Sequence, residues 1–131
     1  MIAPMRLTAQ QLSCSNSRVY KYRFNVTDPL FPLPAQFGAT HAVELHFVWN
    51  SPQVRATAGF AQVVDIMTRS WVSFFVHLDP NYHQLEDVPH WENYGNEGRE
   101  LHVKLDSAQM EADSYRKEGI EFINSITERG L

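Results

Sequence analysis

The chain has 131 residues, 44% of them hydrophobic and 20% charged, with a formal charge of −4 at neutral pH, enough for one domain or part of one. This composition excludes a disordered polymer, and the scattered positive charges argue against a nucleic-acid backbone or an anionic membrane surface as a partner. No apolar run approaches the ~20 residues of a membrane span, and the first residues lack the charged start and apolar middle of a signal peptide.

Residues 1–18 carry no clear pattern beyond the end of a helix over residues 7–12 and a polar connection over residues 13–17. The single cysteine, Cys14, cannot form an internal disulfide and is expected to be a small buried hydrophobe. Residues 19–26 then alternate, with Tyr20, Tyr22, Phe24 and Val26 on one face and Lys21, Arg23 and Asn25 on the other. This period of two predicts a strand, and its one-sided polarity predicts a place near a sheet edge. Asn25-Val26-Thr27 is a glycosylation sequon, usable only in a secreted parent protein.

Three prolines over residues 28–34 require a loop. Residues 38–49 open on a glycine turn and become increasingly apolar, with a period that fits a short helix or an extended segment. The strongest helical pattern covers residues 53–77, where Phe60, Val63, Val64, Met67, Trp71, Phe74, Phe75 and Leu78 form one apolar stripe. Asp65 and Arg69 can pair on its other side, and Asp79-Pro80-Asn81 stops it. A polar and aromatic connection with Trp91 and Tyr94 follows. Residues 99–105 alternate as a short strand. Residues 110–127 read as a second helix with Ala112, Tyr115, Phe122, Ile123 and Ile126 as its apolar positions. Two strands and two helices are thin cover for so broad a stripe, so the pattern leans toward part of a larger α/β domain.

The order of these segments resembles the end of the type-B carboxylesterase/lipase family, the cholinesterase-like α/β-hydrolases. The resemblance rests on Val19-Tyr20-Lys21-Tyr22-Arg23-Phe24, on Gly38-Ala39-Thr40-His41-Ala42-Val43-Glu44-Leu45, and on Trp71-Val72-Ser73-Phe74 followed by Asp79-Pro80-Asn81. Trp91-Glu92-Asn93-Tyr94, Gly98-Arg99-Glu100-Leu101 and Asp113-Ser114-Tyr115-Arg116 extend it. Two positions depart from the family pattern. Lys21 stands where many members have an apolar residue, and His77-Leu78 stands where a Thr-Gly or similar pair is common. The implied fold class is α/β, with residues 1–131 a partial domain from the C-terminal end of an α/β-hydrolase. Its parts are the last core strand, the histidine loop, a long amphipathic helix, a short strand and a C-terminal helix.

Ester hydrolysis on this fold needs a serine, a histidine and a buried carboxylate, with the serine on a Gly-x-Ser-x-Gly elbow and the histidine last in chain order. No serine here has glycine two residues before and two after it. The resemblance therefore assigns the catalytic histidine to His41, and makes Glu44 a supporting residue that holds the His41 loop by hydrogen bonds. The serine and the acid are expected to lie upstream. His41 and His46 lack the spacing of a helical zinc pair, and His77, His83 and His90 are scattered, so no metal and no cofactor is expected. Trp71, Phe74, Trp91 and Tyr94 could line a substrate gorge, with core packing the default for the helical pair.

The implied function is the C-terminal portion of a serine carboxylic-ester hydrolase, inactive alone, with an ester as substrate of the full-length relative. Full-length relatives are often secreted. A non-enzymatic cholinesterase-like binding or scaffold remnant is the alternative, and an N-terminal complementing segment that supplies the serine and acid is a possible partner.

Overall fold

The computed structural model describes residues 2–15 and 17–128. Its elements are helix α1 (Ile2–Cys14), strand β1 (Tyr22–Phe24), a 3-10 turn (Ala35–Phe37), helices α2 (Leu45–Val48), α3 (Pro52–Ala56) and α4 (Ala61–His77), strands β2 (Arg99–Val103) and β3 (Ala108–Ala112), and helix α5 (Lys117–Glu128). The strands form one sheet in the order β1-β2-β3. β1 runs parallel to β2, with Tyr22, Arg23 and Phe24 opposite Leu101, His102 and Val103. A mixed α/β architecture is thus present, and β1 stands at an edge of this sheet.

The chain divides into two compact units. One comprises Met1–Lys21, Glu92–Glu100 and Glu111–Leu131, and the other Tyr22–Trp91 and Leu101–Met110.

In the first unit α1 packs against α5, with Ala9 and Ile120 buried. Its interior is held by charge. The Arg6 guanidinium forms a two-pronged pair with Asp113, Nε to Oδ2 at 2.9 Å and Nη2 to Oδ1 at 2.5 Å, and also donates to the Tyr115 carbonyl at 2.8 Å. Lys21 pairs with Glu100 and lies 3.2 Å from Asp113. The Tyr94 hydroxyl donates to Asp113 Oδ2 at 2.9 Å. Glu100 is wholly buried and Asp113 nearly so, and these partners offset the cost of burying two carboxyl groups. Burial alone would raise the Asp113 pKa, but the Arg6 hydrogen bond, the Lys21 charge and the Tyr94 hydroxyl outweigh it and hold the carboxyl at about 2. Burial, followed by the hydrogen bond to Asp113, raises the Tyr94 pKa.

The second unit is built on α4. Val63, Val64, Ile66 and Met67 are buried on its inner face, with Ser70 and Ser73 continuing that face toward the C-terminus. α2 and α3 both pack against α4. Phe47 of α2 is fully buried, between Phe24 at a ring-centroid distance of 5.0 Å and Phe60 at 6.1 Å. The Thr68 hydroxyl donates to the Phe47 carbonyl at 2.8 Å, tying α2 to the middle of α4. After α4 the Asn81 side chain acts as a one-residue strand. Its amide donates to the Trp91 carbonyl at 3.0 Å, and its oxygen accepts the Trp91 N–H at 2.6 Å. This clasp explains the asparagine of Asp79-Pro80-Asn81: a side-chain amide satisfies a donor and an acceptor of one peptide segment together.

Several sequence expectations change. The strand over residues 19–26 contracts to β1, although backbone bonds continue on both sides. The Asn25 N–H reaches the Val103 carbonyl at 2.8 Å, and Val19 O accepts from the Tyr94 N–H at 2.7 Å. The helix over residues 53–77 is broken. Thr57 is extended (φ −74°, ψ 130°) and Gly59 adopts φ +85°, so the chain turns before α4 begins. At the far end of the stripe Phe75 and Leu78 are 68% and 61% exposed, because Ser70 and Ser73 rather than the larger residues continue the buried face. β2 alternates in sequence but is buried on both faces at residues 100–103; Glu100 is matched by Lys21 in the first unit, and His102 Nδ1 by Arg23 at 3.0 Å in the second. The helix over residues 110–127 starts at Lys117, since residues 108–112 pair in the sheet. Cys14 is exposed, because it ends α1 beyond the buried positions Arg6 and Ala9.

One departure from the family pattern acquires a physical meaning here. Leu78 caps α4 in the left-handed conformation, φ 55° and ψ 27°, where glycine is favoured and a side chain costs about 1 kcal/mol. Since Leu78 is exposed, little packing offsets that cost. Leu78→Gly is expected to stabilise the chain by about 0.5–1 kcal/mol, read as a higher urea midpoint at unchanged slope. A lower midpoint would show that Leu78 packing outweighs the backbone strain.

Candidate functional site: the His41 loop

The loop that carries His41 starts where β1 ends. Pro29, Pro32 and Pro34 withhold three backbone donors and keep this stretch from joining the sheet. Asp28 organises its start. One carboxylate oxygen accepts the Leu30 N–H at 2.8 Å, and the other lies 3.5 Å from His46 Nε2. The Phe37 N–H closes the 3-10 turn on Pro34 O at 3.0 Å. Gly38 then adopts φ +56°, with open space where a Cβ would stand.

His41 occupies the following turn and its side chain is exposed. Ala42, next to it, has φ 65°, an unfavourable conformation for a residue with a Cβ. The turn is pinned from its far side. Val43 is buried, the Leu45 N–H donates to Ala42 O at 3.2 Å, and the Glu44 carbonyl accepts from Phe47 and Val48 at 3.0 and 2.9 Å. The fully buried Phe47 anchors this short helix. Ala42 thus holds a strained backbone conformation beside the exposed His41.

Glu44 is half-buried at the start of α2. Burial, together with the charge of Glu44, pushes the Tyr22 phenol up to about 12, so Tyr22 stays neutral. The Tyr22 ring meets Trp71 at 6.2 Å and Trp91 at 5.9 Å, both edge to face. These two indoles thus pack around a strand tyrosine, and Trp91 is buried. Among the described residues the His41 imidazole and the Glu44 carboxylate make no hydrogen bond.

The buried acids of the first unit are not free for proton transfer. Asp113 is held by Arg6, Lys21 and Tyr94, and Glu100 by Lys21. Its cationic partners make the Asp113 carboxylate a weak base. This cluster is hidden in the sequence, where Lys21 reads as one of three polar residues, with Arg23 and Asn25, on the polar face of the strand pattern. Among the described residues no group of three or more His, Cys, Asp or Glu side chains could hold a metal ion. No helix among them is long and apolar enough to cross a membrane.

The sequence model of the carboxylesterase family matches residues 1–123. The chain belongs to the carboxylesterase family. No curated protein matches it. The match begins ahead of β1, so α1, which sequence motifs alone left unassigned, falls within the carboxylesterase region. Arg6 on α1 and Asp113 near the other end of that region are joined by the buried ion pair.

Proposed function

We propose that His41 is the general base of a serine carboxylic-ester hydrolase, and that the serine and the orienting acid stand on a segment outside this chain. The observation that carries the reading is the His41 turn, an exposed imidazole beside a left-handed Ala42 on a loop anchored by Phe47. In the reaction the imidazole takes the serine hydroxyl proton as the oxygen attacks the ester carbonyl. It returns that proton to the departing alcohol, and water then releases the acyl group by the same route in reverse. Glu44 is a positioning residue in this scheme, its carboxylate open to a donor on the complementing segment.

The surface around the loop supports a complementing segment over a free-standing scaffold. Phe31, Leu33, Phe37, Leu45 and Trp49 flank His41 in the chain, and all are exposed, Trp49 by 77%. Soluble monomers rarely leave so much aromatic and aliphatic surface uncovered.

Alone, the chain is expected to show no saturable turnover of a p-nitrophenyl ester and no labelling by a fluorophosphonate, which reports an activated serine. A longer reading frame carrying a Gly-x-Ser-x-Gly elbow is expected to show both. Saturable turnover by the 131-residue chain itself would overturn the proposal.

A further inference from the structure

A second site lies in the same unit, on the flank of α4 where Val72 and Val76 are exposed. The last two turns of α4 and the connection that follows border a shallow, open depression of about 260 Å³, lined by Arg69, His77, Tyr82, His83 and Gln84 among others. We propose that this depression binds a small oxyanion, a carboxylate or a phosphate group, through Arg69, His83 and Tyr82.

The chemistry of the lining carries the inference. Apart from Ser73, its polar side chains are donors or can act as donors, and among the described residues it holds no carboxylate. Arg69 reaches Asp65 only at 3.6 Å, and that same carboxylate oxygen already accepts from Arg55 at 2.8 Å. The Arg69 side chain is half exposed, leaving N–H groups for a ligand. The Leu85 N–H donates to His83 Nδ1 at 2.9 Å. That bond fixes the tautomer: neutral His83 carries its proton on Nε2 and is a donor there. A metal cation would meet a protonated nitrogen and a guanidinium, so the same bond disfavours it. The His77 and Tyr82 rings lie 4.6 Å apart, which orders one wall. Ser73 contributes no donor, since its hydroxyl donates to Asp79 O and accepts from the Tyr82 N–H.

The charges facing His83 make the site testable by titration. Burial lowers the His83 pKa, and Arg69 on α4 and His90 on the connection lower it further. His77 on α4 and Tyr82 on the connection complete the titratable lining. Protonation puts a hydrogen on Nδ1 and gives up the Leu85 bond, while an anion beside Arg69 opposes the repulsion, so binding is expected to raise the His83 pKa. By linkage, affinity rises as pH falls through the His83 titration.

The experiment is an NMR titration of the His83 ring protons in the full chain, with inorganic phosphate and with acetate at constant ionic strength. The expected result is a saturable rise in the His83 pKa by about one with at least one anion, with a dissociation constant on the order of millimolar. Arg69→Gln, on an exposed side chain, is expected to abolish the rise while leaving the far-UV spectrum unchanged. Saturation by phosphate alone supports a phosphate group, and saturation by acetate supports a carboxylate. A His83 pKa unmoved by both anions, or moved equally in Arg69→Gln, would overturn the proposal. The ester-hydrolase reading stands or falls independently, because this titration needs no catalytic activity.

Discussion

His41→Ala is expected to lower kcat for ester hydrolysis by about 10⁴-fold or more, with KM little changed, in a protein that carries the serine elbow and acid along with this chain. The magnitude follows from the role. Without the imidazole nothing takes the serine proton, and what remains is the contribution of oxyanion contacts and substrate binding. His41 suits this test because its side chain is exposed and makes no hydrogen bond among the described residues. In the 131-residue chain the truncation removes no buried contact, and the stability of that chain is expected to change by no more than about 0.5 kcal/mol, as is usual for surface positions. A loss of activity can then be assigned to chemistry rather than to folding. Glu44→Gln is expected to act more weakly, about 10- to 100-fold in kcat, through misplacement of the loop. Its signature is a displaced acid limb in the pH profile of kcat/KM, which a merely structural role would leave in place. Activity within about tenfold of the parent in His41→Ala would sink the assignment.

The features legible in the sequence are those set by local pattern. The period of two around Tyr22 and Phe24, the apolar periodicity over residues 53–77, of which α4 keeps Ala61–His77, and the stop at Asp79-Pro80-Asn81 each arise from neighbours a few residues apart. Together with the Gly-x-x-His-x-x-Glu-Leu motif they are enough to point to the carboxylesterase family. Features decided at long range escape. Ala108-Gln109-Met110-Glu111-Ala112 consists of good helix formers, yet it forms β3, because sheet pairing outweighs a propensity worth about a few tenths of a kcal/mol per residue. The break before α4 is hidden because a glycine inside a helical pattern is often tolerated; here Gly59 takes a positive φ that no helix allows. Hidden most completely is the pair between Arg6 and Asp113, which are 107 positions apart. Asp113-Ser114-Tyr115-Arg116 stands out in the sequence only as a family-like motif, and the structure supplies its physical content. Asp113 is the shared acceptor for a guanidinium, an ammonium and a phenol.

That sharing sets the largest stability effect expected for this chain. Among the described residues, Asp113→Ala leaves the buried Arg6 guanidinium with the Tyr115 carbonyl alone as a hydrogen-bond acceptor and takes away the acceptor of the Tyr94 hydroxyl. Removing one member of a buried ion pair costs about 3–5 kcal/mol, because the remaining charge stays desolvated. Asp113→Asn keeps the shape and one acceptor oxygen while removing the charge, so it is expected to lose less, about 2 kcal/mol. Protonation offers the same test without mutation. The folded-state pKa of about 2 lies below the ordinary value of 3.8, so the folded chain holds this carboxylate ionised where the unfolded chain protonates it. The resulting stabilisation is complete above the ordinary carboxylate pKa and is lost as pH falls toward the folded-state value. It amounts to about 2 kcal/mol, because lowering a folded-state pKa by one contributes about 1.36 kcal/mol. Urea unfolding from about pH 6 to about pH 2 should therefore show a fall in stability that is smaller in Asp113→Asn than in the parent, because the variant has no carboxylate to protonate. If the two chains lose stability in parallel across that range, the Arg6–Asp113–Lys21 cluster is not what holds the first unit together.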